Sequence, residues 1–267
     1  MVNSLTRDVQ EIVAEQIEYR ALLYRLAQRD LLLRYKQAVM GFAWAVFMPL
    51  LNTLIFTIIF TRVARVQTSV PYPVYAYCGL LFWNFTASAL KGAVTSLSTN
   101  ATLVTKVYFP REVFPFSALI VSLVDLAVAT LVLIGLMMYY HIGVTWTVLF
   151  VPVILFVQIV FTAGVGLLLA MANLFYRDVK YLFEVVITVW MFATSVVYPI
   201  DLVGGRLHDL LLLNPMTPII DGYRATILRG EMPDPVPFGL TAAASIVCLA
   251  ACWVLFHRSE FRFAESV

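Results

Sequence analysis

The chain has 267 residues, of which 61% are hydrophobic and only 13% are charged, where a soluble domain carries about 25% charged residues. That composition excludes a soluble globular domain and indicates an all-α integral membrane protein. The formal net charge of +2 adds little, because orientation in a membrane depends on where the basic residues sit and not on their total; no nucleic-acid partner is expected.

The first 36 residues mix Arg7, Asp8, Glu11, Glu15 and Glu18 with scattered apolar side chains. A cleavable signal would instead run a short basic region directly into an apolar core. Leu5, Val9, Ile12, Val13 and Ile17 recur at helical spacing, followed by Leu22, Leu23 and Leu26 among arginines. This pattern suits an amphipathic helix lying along the inner membrane surface better than an ordinary helix packed on protein. Residues 1–41 are read as this cytoplasmic interfacial segment.

Roughly 20 apolar residues span about 30 Å of hydrocarbon, and six such runs are expected within residues 42–257. They cover 42–61, 74–97, 113–140, 145–175, 182–200 and 238–256. The fourth is over-long for a straight span, and either tilts or extends beyond the bilayer. Residues 258–267 form a tail.

Basic residues set the orientation, since cytoplasmic flanks collect Lys and Arg. Arg7, Arg20, Arg25, Arg29, Arg34 and Lys36 precede the first span, Lys106 and Arg111 follow the second, Arg177 and Lys180 follow the fourth, and Arg258 and Arg262 occupy the tail. Arg62, Arg65, Arg206, Arg224 and Arg229 fall on the opposite side. Both termini are therefore expected in the cytoplasm.

Cys78, Cys248 and Cys252 lie in or at the edge of spans, which argues against a disulfide framework. His141, His208 and His257 are far apart in sequence, and no metal site is expected. No phosphate-binding GxxxxGK[ST] loop, HExxH or nucleophile elbow occurs. No catalytic residue and no cofactor are therefore expected in this chain. Uphill transport would draw on an ion gradient or on a separate nucleotide-hydrolysing partner.

A gradient-driven carrier buries ionisable residues in mid-membrane and breaks its helices in pairs. Asp125, about midway along the third span, is the clear intramembrane acid; Pro49 and Pro152 are the candidate breaks. Asp125 is either a functional group or a structural one bonded to a neighbour such as Gln158 or Asn52. Lys91 and Glu184, nearer the cytoplasmic ends, can snorkel.

A partner-driven transporter needs cytoplasmic handles. Residues 99–112 read TNATLVTKVYFPRE, concentrating Lys106, Tyr108, Pro110, Arg111 and Glu112, and residues 173–181 read NLFYRDVKY, with Arg177 and Asp178. Charged, Pro-containing segments between spans lie outside the hydrocarbon. They are either contact points for a partner or turns that hold topology. Between the fifth and sixth spans, Pro215 and Pro218 each remove a backbone donor, so residues 201–237 cannot form one unbroken span.

RDLLLRYKQAVMGFAWAVFMPLLN (29–52), YCGLLFWNF (77–85), SLSTNATLVTKVYFPREVFP (96–115), NLFYRDVKYL (173–182) and LLLLNPMTPIIDGYRATILRG (210–230) together resemble the ABC-2 type permeases of polysaccharide and polyol-phosphate exporters. The resemblance covers nearly the whole chain. It implies the membrane half of an exporter for lipid-linked O-antigen, capsule or teichoic-acid chains. Such a protein sits in the bacterial inner membrane, with six spans and both termini inside. It works as a homodimer with two copies of a separate ATPase, which binds the ATP and Mg.

By the same resemblance, residues 100–112 are the main coupling helix and 176–180 a second ATPase contact. Short re-entrant or gate helices lie within 201–237, where Asp209, Asn214, Pro215, Pro218 and Tyr223 shape the exit. Aromatic residues are the expected substrate contacts. Tyr72, Tyr75 and Tyr77 fit an interfacial aromatic belt, whereas Phe82, Trp83, Phe85 and Trp190 are either belt or channel lining. A permease of this type for a drug or small lipid, and an ion-coupled carrier, stay open as alternatives.

Overall fold

A computed structural model describes residues 18–36, 43–63, 65–66, 68–106, 109–260 and 263, and no strand occurs among them. A helix α1 (Arg20–Tyr35), with only Leu26 and Ala27 buried, comes first, and α2 (Ala43–Ile58) continues into a π-turn at Ile59–Val63. The long α3 (Tyr72–Thr99) is followed by the short α4 (Ala101–Lys106), then by α5 (Val113–Tyr139), α6 (Val151–Phe175) and α7 (Val179–Phe192). Two short helices, α8 (Arg206–Leu212) and α9 (Met216–Arg224), lead through a π-turn at Ala225–Arg229 into α10 (Pro235–Ser259).

Among the described residues, four segments are long and apolar enough to cross a membrane: Val46–Val63, Val113–Tyr139, Trp146–Phe175 and Pro235–Ser259. They coincide with the expected first, third, fourth and sixth spans. The over-long fourth run is accommodated by a 3₁₀ turn at Trp146–Phe150 that precedes α6. Pro152 sits at the start of α6, where its missing N–H costs nothing, and so does not break a helix. Pro49 lies inside α2.

The expected second span is α3, and it differs from the four because it is the hub. It packs against α2, α5, α6, α7 and α9, and most of its length is buried. Protein covers most of it, so it tolerates Asn84, Thr86 and Ser88, while Lys91 is exposed. At the other extreme, only 11% of the α2 segment is buried, and Phe47, Met48, Leu51, Leu54, Ile55 and Ile58 lie on its open surface. A helix without an apolar protein neighbour on most sides is a lipid or interface helix.

The expected fifth span is helical only to Phe192. Residues 193–199 turn instead, with Ser195 at φ 53°. Leu182, Val185, Val186 and Val189 on α7 are exposed, as befits a helix on the periphery. Residues 1–17, which carry the first half of the expected interfacial helix, lie outside the described residues.

Candidate functional site

The two polar islands meet at one end of the bundle. Asn173, at the end of α6, directs its amide nitrogen to Ser98 Oγ of α3 at 3.5 Å, and its Oδ1 accepts the Lys180 N–H of α7 at 3.2 Å. The neighbouring turn leaves Tyr176, Arg177 and Asp178 exposed. Asn100, which ends α3, bonds back to Ser96 O at 2.8 Å and accepts from Arg29 of α1 at 2.8 Å. Arg29 is held in turn by Asp30, whose other oxygen accepts from Ser117 Oγ of α5 at 2.8 Å. One polar chain thus joins α1, α3 and α5 beneath the first island. Lys106 ends α4, and Tyr108 lies outside the described residues.

Arg111 and Glu112 do not project outward from the bundle. Pro110 and Glu112 are buried, and Arg111 is only 13% exposed. The Arg111 backbone N–H donates to Glu260 Oε1 at 2.8 Å. Its guanidinium donates to the Glu260 carbonyl and to Val104 O, and lies 5.8 Å from the Phe263 ring centroid. Phe109, Phe114, Phe256 and Phe263 pack in the apolar cluster beneath. Burial, and next the Glu112 carboxylate, push the Glu260 carboxyl up to about 7, against the opposing pull of Arg111 and His257. Local sequence could not signal this seam, because its partners stand 149 positions apart.

Asp125 acquires a cation that no span contains. Arg34 of α1 forms an ion pair with its Oδ2 and reaches Ser88 Oγ at 3.3 Å, while the Tyr35 hydroxyl donates to its Oδ1. Gln158, one expected partner, lies elsewhere; Asn52, the other, lines the same cleft as Asp125 without a bond to it. That cleft, of about 300 Å³, runs between α2, α3 and α5 and includes Trp44, Phe85 and Lys91. The pair fixes α1 against α5. Replacing Asp125 by Asn should free α1, so that trypsin cleaves at Arg29 and Arg34 several-fold faster in reconstituted vesicles, while transport largely persists. Lost transport with unchanged cleavage would contradict this role.

At the other end, the short-helix segment is built into the core. Asn214 Nδ2 donates to Ala193 O and Thr194 Oγ1, both at 2.9 Å, and its Oδ1 accepts from Trp190 Nε1 at 3.0 Å and the Met216 N–H at 3.1 Å. Pro215 caps α9 and Pro218 is buried within it. The Tyr223 hydroxyl donates to Gln158 Oε1 at 2.8 Å; Gln158 Nε2 donates to Phe82 O and Thr86 Oγ1. The Asp209 side chain lies outside the described residues.

Arg224, assigned by sequence to an outer flank, is instead 2% exposed. Its guanidinium donates to the carbonyls of Ser195 and Val196 and sits 3.8 Å from the Tyr75 ring centroid. Among the described residues no carboxylate forms an ion pair with it.

The expected channel aromatics are mostly core residues. Phe82 stacks on Tyr223 with centroids 3.4 Å apart, and Trp83 meets Trp190 edge to face. Both are nearly fully buried, so neither lines an open path within this chain. Phe85 reaches the α2–α3–α5 cleft. Tyr72 and Tyr77 are no belt either: both are buried, with hydroxyls donating to Val197 O and Ala129 O, and Tyr75 is buried under Arg224. Buried tyrosines find such acceptors because an unpaired hydroxyl in an apolar interior is costly.

Comparison with known proteins matches this arrangement to a transporter class. The chain is 33% identical over 258 residues to the O-antigen export system permease protein RfbA of Myxococcus xanthus, covering 96% of this chain and 99% of that protein. It is 28% identical over 246 residues to the RfbA permease of Klebsiella pneumoniae, covering 91% and 94%. With the polysialic acid transport protein KpsM of Escherichia coli it shares 21% identity over 243 residues, covering 87% and 91%. The profile of the ABC-2 type transporter family matches residues 21–228, from α1 to the π-turn that precedes α10, and the chain is a member of that family.

Proposed function

We infer that this chain is the membrane-spanning subunit of an ABC exporter that moves a lipid-linked polysaccharide of the O-antigen type outward across the bacterial inner membrane. The observation that carries this reading is the full-length likeness to a relative named as an O-antigen export permease. Energy comes from a separate ATPase that binds ATP and Mg, because the chain has no phosphate-binding loop of its own. Two copies of each subunit form the transporter, with both termini on the ATPase side. The open apolar surfaces of α2 and α7 then face lipid or the second copy.

In this reading, the exposed Tyr176–Asp178 turn and α4 are the surfaces the ATPase grips. Closure of the nucleotide domains presses on the end of α3, and through Asn173, Ser98 and Asn100 the movement reaches α6 and α1. A ligand shifts a conformational equilibrium only through differential contacts, so cutting those contacts uncouples hydrolysis from transport. Because Arg177 is exposed, Arg177→Glu should leave the melting temperature unchanged. Co-purification with the ATPase and polymer export in reconstituted vesicles should both fall several-fold. Export that continues without ATP would overturn the proposed function, and export of a small drug in place of glycan would redirect it.

A further inference from the structure

We propose that Glu112, His257 and Glu260 form a binding site for a divalent cation of the zinc class, which clamps the first polar island to the end of α10. The three side chains can each offer one ligand atom, and these atoms lie within 4.8 Å of one another. His257 Nδ1 is 3.5 Å from Glu112 Oε1, close to the roughly 3.4 Å that separates two ligands held about 2.1 Å from a tetrahedral ion. A modest swing of Glu260 brings the third donor into range, leaving a fourth position for water.

The independent sign of a missing ligand is Glu112. Its side chain is 1% exposed, and among the described residues neither carboxylate oxygen accepts a hydrogen bond. Buried carboxylates are ordinarily satisfied by hydrogen bonds, a cation or a metal. The Arg111 guanidinium is committed to the Glu260 carbonyl and Val104 O, and its Nε stays 4.0 Å from Glu260 Oε1. One imidazole with two carboxylates is a nitrogen and oxygen donor set that suits zinc and its first-row neighbours, and does not suit a soft thiolate-loving ion.

This site is independent of the cargo, since its ligands lie at the island and tail and none lines the α2–α3–α5 cleft. The test uses the full-length chain, purified in detergent through a tag without histidine, stripped with chelator and dialysed against zinc. Elemental analysis should find close to one zinc per chain, and cobalt in its place should give visible absorption bands from nitrogen and oxygen ligation. His257→Asn and Glu260→Gln should each weaken zinc binding at least about tenfold, while monodisperse elution confirms that both variants fold. Substoichiometric zinc in the unmodified chain would overturn the proposal, as would equal uptake by both folded variants; either result would leave the His257–Glu112 contact and the Arg111–Glu260 hydrogen bonds to join island and helix end without a metal.

Discussion

Replacing Arg224 by Ala should unfold or misassemble the end of the bundle that holds α9 and the turn after α7, lowering stability in detergent by about 3 kcal/mol or more, since hydrogen bonds to a charged donor contribute roughly 1.5–3 kcal/mol each. The substitution orphans the Ser195 and Val196 carbonyls, which turn the chain after α7. It also removes the cation stacked over Tyr75. Lysine should rescue only part of the loss, because a compact ammonium lacks the planar fork that reaches two carbonyls at once.

A second substitution tests the same pin from the other side. A Cβ at Gly79 of α3 would collide with the Arg224 guanidinium and the Val196 carbonyl. Gly79→Ala should therefore destabilise the chain nearly as much, and the double variant should lose much less than the sum of the two, as expected for residues sharing one contact. Thermal melts followed by size-exclusion chromatography read all three. Full additivity would show that Arg224 and Gly79 act separately.

Arg111→Glu should have the largest effect on transport. It would set a third carboxylate beside Glu112 and Glu260 in a seam where Arg111 is 13% exposed and Glu112 1%. Breaking a largely buried charge network in this way costs about 3–5 kcal/mol. The cost falls on the tail, since the span helices keep their own packing. Membrane insertion should persist, residues after His257 should become accessible to carboxypeptidase, and export should drop more than about tenfold, a change of 1.4 kcal/mol or more. Arg111→Lys should sit between. Intact tail protection together with normal export would refute this role of Arg111. The contrast with Arg177→Glu separates the two islands: one substitution disturbs internal architecture, the other an outer contact.

Much of the architecture was legible in composition and spacing. Runs of about 20 apolar residues located α2, α5, α6 and α10, and Pro215 with Pro218 announced a segment of short helices. The polar islands were legible as breaks, and the structure brings Asn173 against Ser98. What sequence could not supply was direction. Tyr72, Tyr77 and Arg224 look like residues at a membrane interface, because their types suit that place; only the packing of α3 shows that they face protein. Phe82 and Trp83 likewise read as belt or channel lining, whereas the structure packs Tyr223 and Trp190 against them. Asp125 and Arg34, 91 positions apart, and Arg111 and Glu260 belong to no common period, so no window on the sequence pairs them.

The Arg111 seam also fixes an order of events during synthesis. Residues 104–114 leave the ribosome early, but Phe256, near the end of α10, and Glu260 and Phe263 beyond it are made only after every helix from α5 to α9. The first island therefore waits half-finished while the membrane helices insert, and acquires its final shape in a last docking step. A chain cut short before Glu260 would insert its helices yet leave the first island without the cover that Glu260 and Phe263 give it.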